Sequence, residues 1–301
     1  MNVLLGVAQP RDRHMARFLM ALGLPRGTTI HVVHVVEFPT LMNHITGRSA
    51  VDLNRQASTH AQELVTRVAA PLSIEGVEIR SLVQFGRPGP ILLDTVERLG
   101  VELTVVSPYR SSRLAKFLLG SVTDMLLNEV PSSLLVVRTR PRRQLQADMT
   151  IVLAMDFSRD AQTAAKFLLK FSLTPQSRII LLHVEEAADT VLDRMSRLDT
   201  ELPPVIERAK RERKRQTLLM LDRIGRQLQQ RDLLVDKMLE EGNAAVQILR
   251  MAERHRADLI VMGSKGLAGL ERYVMGSVSR KVARHALCSV LVVKGAKRAA
   301  R

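Results

Sequence analysis

Three glycines and a serine near the carboxyl terminus are the residues of this chain whose types and spacing could most clearly do chemistry. Gly263, Gly266, Gly276 and Ser277 follow the pattern Gly-x2-Gly-x9-Gly-Ser. Glycines have no Cβ, so backbone N–H groups beside them can approach an anion closely. A helix that starts at the last glycine adds unpaired donors and partial positive charge. The spacing indicates a phosphate-binding loop, and we expect Ser277 to cap the helix.

The elements around these glycines are those of an α/β sheet. The apolar run at residues 259–262 predicts a buried strand before Gly263, and residues 289–293 predict a second strand. Between them, apolar residues recur at helical spacing at Val278, Val282, Ala283 and Ala286. A strand, a glycine loop and a helix start in this order favour phosphate binding. The alternative is that the glycines only mark turns.

Other phosphate-binding and hydrolytic motifs are missing from the sequence. It contains no Gly-Lys-[Ser/Thr] of a Walker A loop and no Gly-x-Gly-x-x-Gly dinucleotide fingerprint. It also contains no Gly-x-Ser-x-Gly elbow, which argues against a serine hydrolase of the α/β class. No Ser/His/Asp or Cys/His set can be assembled, so we predict no catalytic residues.

The glycine stretch resembles the nucleotide-binding signature of the universal stress protein family, in its ATP-binding branch. Residues 151–158 resemble the first strand of that family with its adenosine-contacting Asp, and residues 179–184 resemble the second. The turn at residues 242–245 resembles the one that opens the helix before strand four. The resemblance covers nearly the whole second half of the chain, with its parts in the order of the family.

This resemblance implies one bound ATP and a set of contact residues. Asp156 would accept hydrogen bonds from the ribose, while Met155 and Val184 would frame the adenine, Val184 through its main chain. The glycines would wrap the phosphates, and the start of the helix would present N–H groups to them. A divalent cation such as Mg²⁺ is compatible with the phosphates, with Lys265 and Arg280 offering partial neutralisation. The implied nucleotide-binding residues are Met155, Asp156, Val184, Met262, Gly263, Lys265, Gly266, Gly276, Ser277, Val278 and Ser279.

The chain also contains an internal repeat. Residues 86–138 align with residues 242–294 without a gap, and the starts of the two halves correspond. The identical positions, numbered in the first copy, are Gly86, Leu93, Glu97, Arg98, Leu103, Val105, Leu114, Gly120, Ser121, Val122, Ser133, Leu135, Val136 and Val137. We expect tandem domains at residues 1–138 and 149–301, joined by a basic, proline-containing linker at residues 139–148.

The fold class follows from the order of elements in each copy. Each reads as strand, helix, strand, long helix, strand, helix, strand, helix, strand, which predicts α/β architecture with a parallel sheet and helices on both faces. The family resemblance implies two Rossmann-like domains with five-stranded sheets of order 3-2-1-4-5. The last strands, at residues 133–137 and 289–293, would be sheet edges. Such edges pair between subunits in the family, so we expect an intramolecular pseudo-dimer, with a homodimer as a further possibility.

The two copies differ most at the implied ligand positions. From the second copy to the first, Asp156 becomes Ala8, Gly263 becomes Ser107 and Gly266 becomes Arg110. These exchanges would crowd the phosphate loop and remove the ribose acceptor. Gly120 and Ser121 remain, which close packing and helix capping explain better than binding does. We therefore expect the first copy to be a degenerate, architectural site; the alternative is that Arg110 binds some other anion.

Composition limits where the protein works. The 301 residues include one cysteine, no tryptophan and 3% aromatic residues, so the cores must be aliphatic and an intramolecular disulfide is excluded. Cys288 begins a predicted strand, and we interpret it as structural. No apolar run approaches the roughly 18 residues that span a bilayer, and no signal peptide is evident. We expect a cytoplasmic protein without membrane contact.

The net charge of +15 raises the possibility of an acidic partner. Its densest cluster, at residues 208–215, is predicted to open a long helix whose apolar face is Leu218, Leu221, Ile224 and Leu228. A solvated helical face explains this cluster better than nucleic-acid binding does, and the sequence offers no aromatic platform for stacking bases.

Histidines and acidic pairs are interpreted as structural. His34 and His183 lie at equivalent second-strand positions, which indicates a shared packing or hydrogen-bonding role. The pairs at residues 185–186 and 240–241 are predicted to be exposed strand ends.

The function that the sequence favours is a stress or regulatory protein that binds ATP in its second domain. One alternative is a slow ATPase or phosphotransferase, for which no activating base is evident near the glycines. Another alternative is a nucleotide-independent binder of acidic partners through the basic cluster at residues 208–215.

Overall fold

The computed structural model describes residues 1–37, 48–72, 75–108, 119–139, 148–185, 202–266 and 275–295. Most of the predicted linker lies outside the described residues, as do Tyr109, Arg110, Tyr273 and Glu186.

Strands and helices alternate through both halves of the chain. The first half has strands β1 (Asn2–Val7), β2 (Thr28–Val36), β3 (Val77–Phe85), β4 (Leu103–Val106) and β5 (Ser133–Val136), with helices α1 (Arg13–Leu22), α2 (Arg48–Ala69), α3 (Pro88–Arg98) and α4 (Ser121–Glu129). The second half has strands β6 (Thr150–Ala154), β7 (Arg178–Glu185), β8 (Leu234–Glu241), β9 (Leu259–Gly263) and β10 (Ser289–Val293), with helices α5 (Arg159–Leu168), α6 (Leu202–Gln229), α7 (Ala244–Arg254) and α8 (Ser277–His285). A 3₁₀ turn at Pro10–Asp12 precedes α1.

Each half builds a parallel sheet whose strand order is the one expected. The order is β3-β2-β1-β4-β5 in the first half and β8-β7-β6-β9-β10 in the second. In both, the first strand lies between the second and the fourth, and all these pairings are parallel. The prediction of two α/β repeats with the order 3-2-1-4-5 is confirmed.

The two sheets join into one sheet of ten strands. The last strand of each half is the joint, because β5 and β10 pair antiparallel, with Leu135 opposite Leu291. Both strands are buried along their whole length. The predicted pairing of the two edges within one chain is therefore confirmed, and neither edge remains open to pair with other chains.

The helices cover both faces of this sheet. One core cluster contains the buried residues of α1, α2, α5 and α6, and the other contains those of α3, α4, α7 and α8. Each cluster draws on both halves, so the two domains share their cores across the joint. The buried side chains are mainly Leu, Val, Ile, Ala and Met, as expected from the scarcity of aromatic residues.

Reciprocal hydrogen bonds flank the joint between the halves. The amide of Arg138, just after β5, donates to the hydroxyl of Ser289 at 3.1 Å. The amide of Lys294, just after β10, donates to the hydroxyl of Ser133 at 3.4 Å. Each half thus supplies a serine at the start of its last strand that accepts from the end of the other strand.

The side chains that follow these strands cross the joint as well. The guanidinium of Arg138 donates to the carbonyl of Ala283, and the ammonium of Lys294 donates to the carbonyl of Val130. Burial and, to a smaller extent, the ammonium of Lys265 together lower the pKa of Lys294 to about 8. A cation that is costly to keep charged therefore lies at the joint.

The long helix α6 differs from its prediction in two ways. It begins at Leu202, so the basic cluster lies inside the helix and does not open it. Leu221 and Leu228 are buried as expected, but Leu218 is 42% exposed, because the buried stripe passes through Thr217 instead. The described side chains of the basic cluster are exposed, as predicted for a solvated face.

Glu185 also differs from its prediction. Its side chain is only 13% exposed and forms an ion pair with Arg213, 3.7 Å away. Thr217 also donates to this carboxylate, at 3.5 Å. Glu185 was predicted to be an exposed strand end, but it anchors α6 to the end of β7.

The pKa of Lys294 leads to a prediction about stability. The folded pKa lies near 8 and the ordinary value is 10.5, so between these values the unfolded chain binds more protons than the folded one. The free energy of unfolding should therefore rise with pH in this window. Lys294→Met removes this titration, so the stability of the wild type minus that of the variant should increase between about pH 7.5 and pH 10.

Chemical denaturation at several pH values measures this difference. Arg138→Met is the matched control, since Arg138 ends the equivalent strand and an arginine does not titrate in this range. The difference between the wild type and this control should not vary with pH. A pH-independent difference for Lys294→Met would show that its ammonium is not destabilised in the fold.

Candidate functional site

The predicted site lies where two neighbouring strands of the second half end. β6 and β9 pair with Leu153 opposite Val261, so the loops after them leave the same edge of the sheet side by side. The helix after β6 packs on one face, and the helix after β9 packs on the other. Connections that diverge in this way open a crevice at the carboxyl ends of the strands, where α/β sheets bind ligands.

Asp156 and Gly266 meet in this crevice. One carboxylate oxygen of Asp156, Oδ1, accepts the amide of Ser158 at 3.0 Å. The other, Oδ2, lies 2.9 Å from the position that a Cβ on Gly266 would occupy. Any side chain at residue 266 would therefore displace the carboxylate, so the glycine keeps one oxygen of Asp156 open toward the crevice.

Gly263 lies against the start of α5. A Cβ at this position would come within 2.7 Å of the backbone nitrogen of Ala161 and of the carbonyl carbon of Asp160. Backbone atoms inside a helix cannot move aside cheaply. Close packing of β9 against α5 is thus sufficient to explain this glycine.

Asp160 organises the loop, although the sequence analysis did not select it. Its Oδ2 accepts the hydroxyl of Ser264 at 2.7 Å and the amide of Lys265 at 3.2 Å. Ser158 caps the same helix, because its hydroxyl accepts the amide of Ala161 at 3.2 Å. A serine cap followed by an acid in the first turn was the available signal, but it indicates only a helix start.

Helix α8 begins directly after the last glycine of the pattern. Gly276 is the N-cap, in extended conformation, and its amide donates to the carbonyl of Ser264 at 2.9 Å. The expectation that Ser277 caps the helix is wrong, since Ser277 is the first helical residue and no side chain caps this end. The amides of Ser277 and Val278 belong to the first turn and have no acceptor within the helix.

Ser279 faces the interior. Its side chain is buried, and its hydroxyl donates to the carbonyl of Gly263 at 2.8 Å. This bond ties the start of α8 to the end of β9. The hydroxyl of Ser279 is therefore already used in a hydrogen bond within the protein. Its backbone amide is the group that belongs to the unpaired donors of the first helical turn.

The ends of β6 and β7 form the other side of the crevice. The ring nitrogen Nδ1 of His183 lies 2.6 Å from the carbonyl oxygen of Met155, and His34 repeats this contact with Val7 in the first half at 2.8 Å. The shared hydrogen-bonding role of the two histidines is confirmed. In each of the two rings, Nδ1 must carry a proton, because it donates to the carbonyl oxygen.

Phe157 was also missed by sequence reasoning. It has a φ of 61°, a left-handed conformation that is uncommon outside glycine, and its ring lies 4.8 Å from that of His183. Strained residues of this kind concentrate at functional sites. The two rings lie on the face of the sheet that α5 covers, whereas Val184, which is half-buried and was expected to contact the adenine, packs against the core cluster of the other face.

The two methionines of the predicted set lie in the core. Met155 is 3% exposed and Met262 is 5% exposed, and they belong to the core clusters on opposite faces of the sheet. The amide of Met155 donates to the carbonyl of Leu182 at 2.8 Å. These two side chains therefore lie beneath the crevice, and very little of their surface is exposed to it.

In the equivalent loop of the first half, the backbone amides are already hydrogen-bonded to a carboxylate of this half. The amides of Ala8 and Gln9, just after β1, both donate to Oδ2 of Asp12, at 2.8 Å and 3.0 Å. Asp12 is buried. An anion at this loop would meet a buried carboxylate, and Ala8 offers no carboxylate of its own to a hydroxyl group.

Among the described residues, no group of three or more His, Cys, Asp or Glu side chains is arranged to hold a metal ion. Among the helices in the same part of the chain, none is long and apolar enough to cross a membrane. Cys288 is buried beside β10, as expected for a structural residue.

The packing of Gly263 can be tested by adding one methyl group. Gly263→Ala should destabilise the protein without any ligand by about 1–3 kcal/mol, as overpacking does. Gly225→Ala, inside α6, is the matched control. A Cβ there would lie 3.6 Å from its nearest neighbour, the side chain of Lys237, which is ordinary van der Waals contact. This control should stabilise by about 0.5–1 kcal/mol. Thermal or chemical denaturation compares them, and equal stability of the two variants would contradict the packing explanation.

Curated universal stress proteins align with this chain. YxiE of Bacillus subtilis is 29% identical over 139 residues, which is 46% of this chain and 92% of that protein. A universal stress protein of Mycolicibacterium smegmatis is 23% identical over 272 residues, which is 88% of this chain and 87% of that protein. MJ0531 of Methanocaldococcus jannaschii is 52% identical over 58 residues, a match that spans 19% of this chain and only 34% of that protein.

A solved structure shows the same fold along the whole chain. The crystal structure of a universal stress protein from Archaeoglobus fulgidus covers 97% of this chain and 98% of its own, with a TM-score of 0.63 and 18% identity. The sequence profile of the Universal stress protein family matches residues 1–138 and residues 149–294, once in each half. The chain therefore belongs to the universal stress protein family, with two family domains in tandem.

Proposed function

We propose that the second domain binds one ATP at the ends of β6 and β9, and that the protein acts as a nucleotide-binding regulator in a stress response. One observation carries the proposal. Asp156, Gly266 and Gly276 converge in this half: Oδ2 of Asp156 lies 2.9 Å from a Cβ placed on Gly266, and a Cβ placed on Gly276 would lie 3.8 Å from the amide nitrogen of Gly266. A carboxylate, a bare loop and a helix start thus share one crevice.

Asp156 would bind the ribose. Its Oδ1 is oriented by the amide of Ser158, and among the described residues no donor contacts Oδ2. A carboxylate fixed through one oxygen can accept hydroxyl groups through the other without losing its position. Such charge-assisted hydrogen bonds contribute more than neutral ones.

The first turn of α8 would bind the phosphates. The amides of Ser277, Val278 and Ser279 would serve as donors. Gly276 would act by leaving space, because its amide donates to Ser264 and a Cβ there would lie 3.2 Å from that carbonyl oxygen. Gly263 would shape the start of the loop.

Lysine side chains would supply the charge that balances the phosphates. Lys265 follows Ser264 in the loop, and its positive charge lowers the pKa of Lys294. The pKa of Lys294 is depressed to about 8 by burial and by Lys265, so an anion nearby would be favoured by both ammonium groups. Mg²⁺ would be bound through the phosphate oxygens and water, as is usual for this ion.

The adenine would lie over the ends of β6 and β7. Val184 would contact it through the main chain, while Met155 and Met262 would form the floor. The rings of Phe157 and His183 lie together on the face of the sheet that α5 covers, near the end of β7. The carboxylates nearest the phosphates are already committed to ribose binding or, at Asp160, to the loop. We therefore propose binding rather than rapid hydrolysis.

Calorimetric titration of the full chain with ATP tests the proposal. The wild type should bind one ATP per chain, and Asp156→Ala should weaken the affinity about 10- to 150-fold, as expected for a lost charge-assisted hydrogen bond of about 1.5–3 kcal/mol. Gly276→Val should weaken it further, because a branched side chain would enter the phosphate position.

Gly120→Val is the matched control for this titration. Gly120 caps α4 in the first half with nearly the same backbone conformation as Gly276, but the first half has Ala8 at the position that corresponds to Asp156. The control should bind ATP like the wild type. Two equivalent sites per chain, or an equal loss in Gly120→Val and Gly276→Val, would overturn the proposal.

A further inference from the structure

A strongly basic cleft lies on the first domain, away from the proposed nucleotide site. It has a volume of about 370 Å³. Its walls come from the 3₁₀ turn after β1, from α1 and from the second half of α2. The lining residues are Pro10, Arg11, Arg13, His14, Arg17 and Arg67. Five of the six carry basic side chains, and none is acidic.

These basic side chains are placed by the amphipathic pattern of α1. Met15 and Leu19 on this helix are fully buried against the sheet. Arg13 and Arg17 are one turn apart on the exposed side, with His14 between them. The sheet therefore fixes the orientation of α1, and this orientation directs its basic side toward α2, from which Arg67 completes the cleft.

Three of the arginines in the cleft are not neutralised by a carboxylate of the described residues. Among the described residues, Arg13, Arg17 and Arg67 form no salt bridge with a carboxylate. The acid nearest in sequence, Asp12, is buried and accepts the amides of Ala8 and Gln9. Several guanidinium groups around one small volume repel each other, and a bound anion would relieve this repulsion.

His14 adds a second, independent observation. Its Nδ1 lies 2.8 Å from the carbonyl oxygen of Arg11. Its Nε2 is buried and, within the described part of the chain, has no hydrogen-bond partner. Buried polar atoms in proteins usually have partners, and an exception calls for an explanation. A polar ligand in the wall of this cleft would provide one.

The second domain does not repeat the cleft. When α1 and α5 are aligned on their buried faces, Met15 with Ala164 and Leu19 with Leu168, the three exposed positions of α1 correspond to Gln162, Thr163 and Lys166.

The long helices give the same result. Aligning Ala61 with Leu221 and Val68 with Leu228 places Gln227 opposite Arg67. Except at Lys166, these positions are not basic in the second domain, so the cluster of basic side chains is a property of the first domain and not of the shared fold.

We propose that this cleft binds a small molecule that carries several phosphate groups. Guanidinium groups bind phosphate oxygens through two parallel hydrogen bonds, and arginine is the residue type preferred for this purpose. The volume lies at the lower end of the range for small-molecule sites, about 300–1,000 Å³. The arginines converge on it from three elements. No Phe, Tyr or Trp side chain is among the lining residues for stacking bases, so single-stranded nucleic acid is the less suitable ligand.

Inorganic tripolyphosphate is a suitable probe, since it has the charge of such ligands without a base or a sugar. Calorimetric titration of the full chain should show binding that Arg13→Gln, Arg17→Gln and Arg67→Gln together weaken at least tenfold. All three side chains are exposed, so the fold should persist, and the melting temperature of the triple variant checks this. Arg17→Gln alone should give a smaller loss in the same direction.

Two controls distinguish this site from general charge and from the nucleotide site. Lys214→Gln, Arg223→Gln and Arg226→Gln together remove the same charge from the exposed side of α6 and should change the affinity less than twofold. Gly276→Val should retain tripolyphosphate binding at the cleft even where ATP binding is lost. Loss of anion binding at the cleft and loss of ATP binding in the second domain can therefore be distinguished.

Several results would overturn the inference. These are retention of binding in the arginine triple variant, an equal loss in the α6 triple variant, and loss in Gly276→Val alone. The commitment to a small ligand would also be wrong if duplex DNA, or vesicles with anionic lipids, bound more tightly than tripolyphosphate and lost binding through the same three arginines.

Discussion

The antiparallel pairing of β5 with β10 is the constraint on which the rest of the molecule depends. Both strands are short, apolar and buried along their length, so neither could remain at an open edge without inviting association with other chains. Their pairing gives each strand its missing neighbour. It also merges two aliphatic cores that would each be modest alone, because both core clusters draw on the two halves. The serine hydroxyls of Ser133 and Ser289 then fasten the ends of the joint.

This constraint has a cost at Lys294. The residue after β10 must cross to the other half, where its ammonium donates to Val130 and loses much of its hydration. The same residue lies close enough to Lys265 for their charges to interact. The joint between the domains and the proposed phosphate site are therefore electrostatically connected, and an anion bound near Lys265 would make the charged form of Lys294 less costly.

The described ends of the segment that carries the glycines are held by the protein's own hydrogen bonds. Asp160 accepts two donors from residues 264–265, and Ser279 bonds the carbonyl of Gly263. A ligand that binds these ends has less conformational entropy to remove from them, which favours affinity. The first domain has the same fold but uses its loop differently, since Asp12 occupies the amides that follow β1. The repeat thus preserves the architecture while its chemistry diverges, as sites placed on a common fold commonly do.

The sequence by itself determined the architecture. The repeat and the alternation of elements follow from local patterns that are read along the chain, while the strand order and the pairing of β5 with β10 were implied by the family resemblance. The glycine spacing selected Gly266 and Gly276, the family resemblance selected Asp156, and the structure places these three residues close together. The cap of α8 and the start of α6 were missed because both depend on backbone geometry at helix ends, which local patterns determine poorly.

Only the tertiary structure decided which polar groups meet. Asp160 and Ser264 are far apart in sequence, and their hydrogen bond exists because β9 and the start of α5 pack together. Arg17 and Arg67 belong to different helices, and each looks like an ordinary solvated charge until the sheet brings α1 beside α2. Such contacts depend on distances between elements, and no spacing along a single element contains that information.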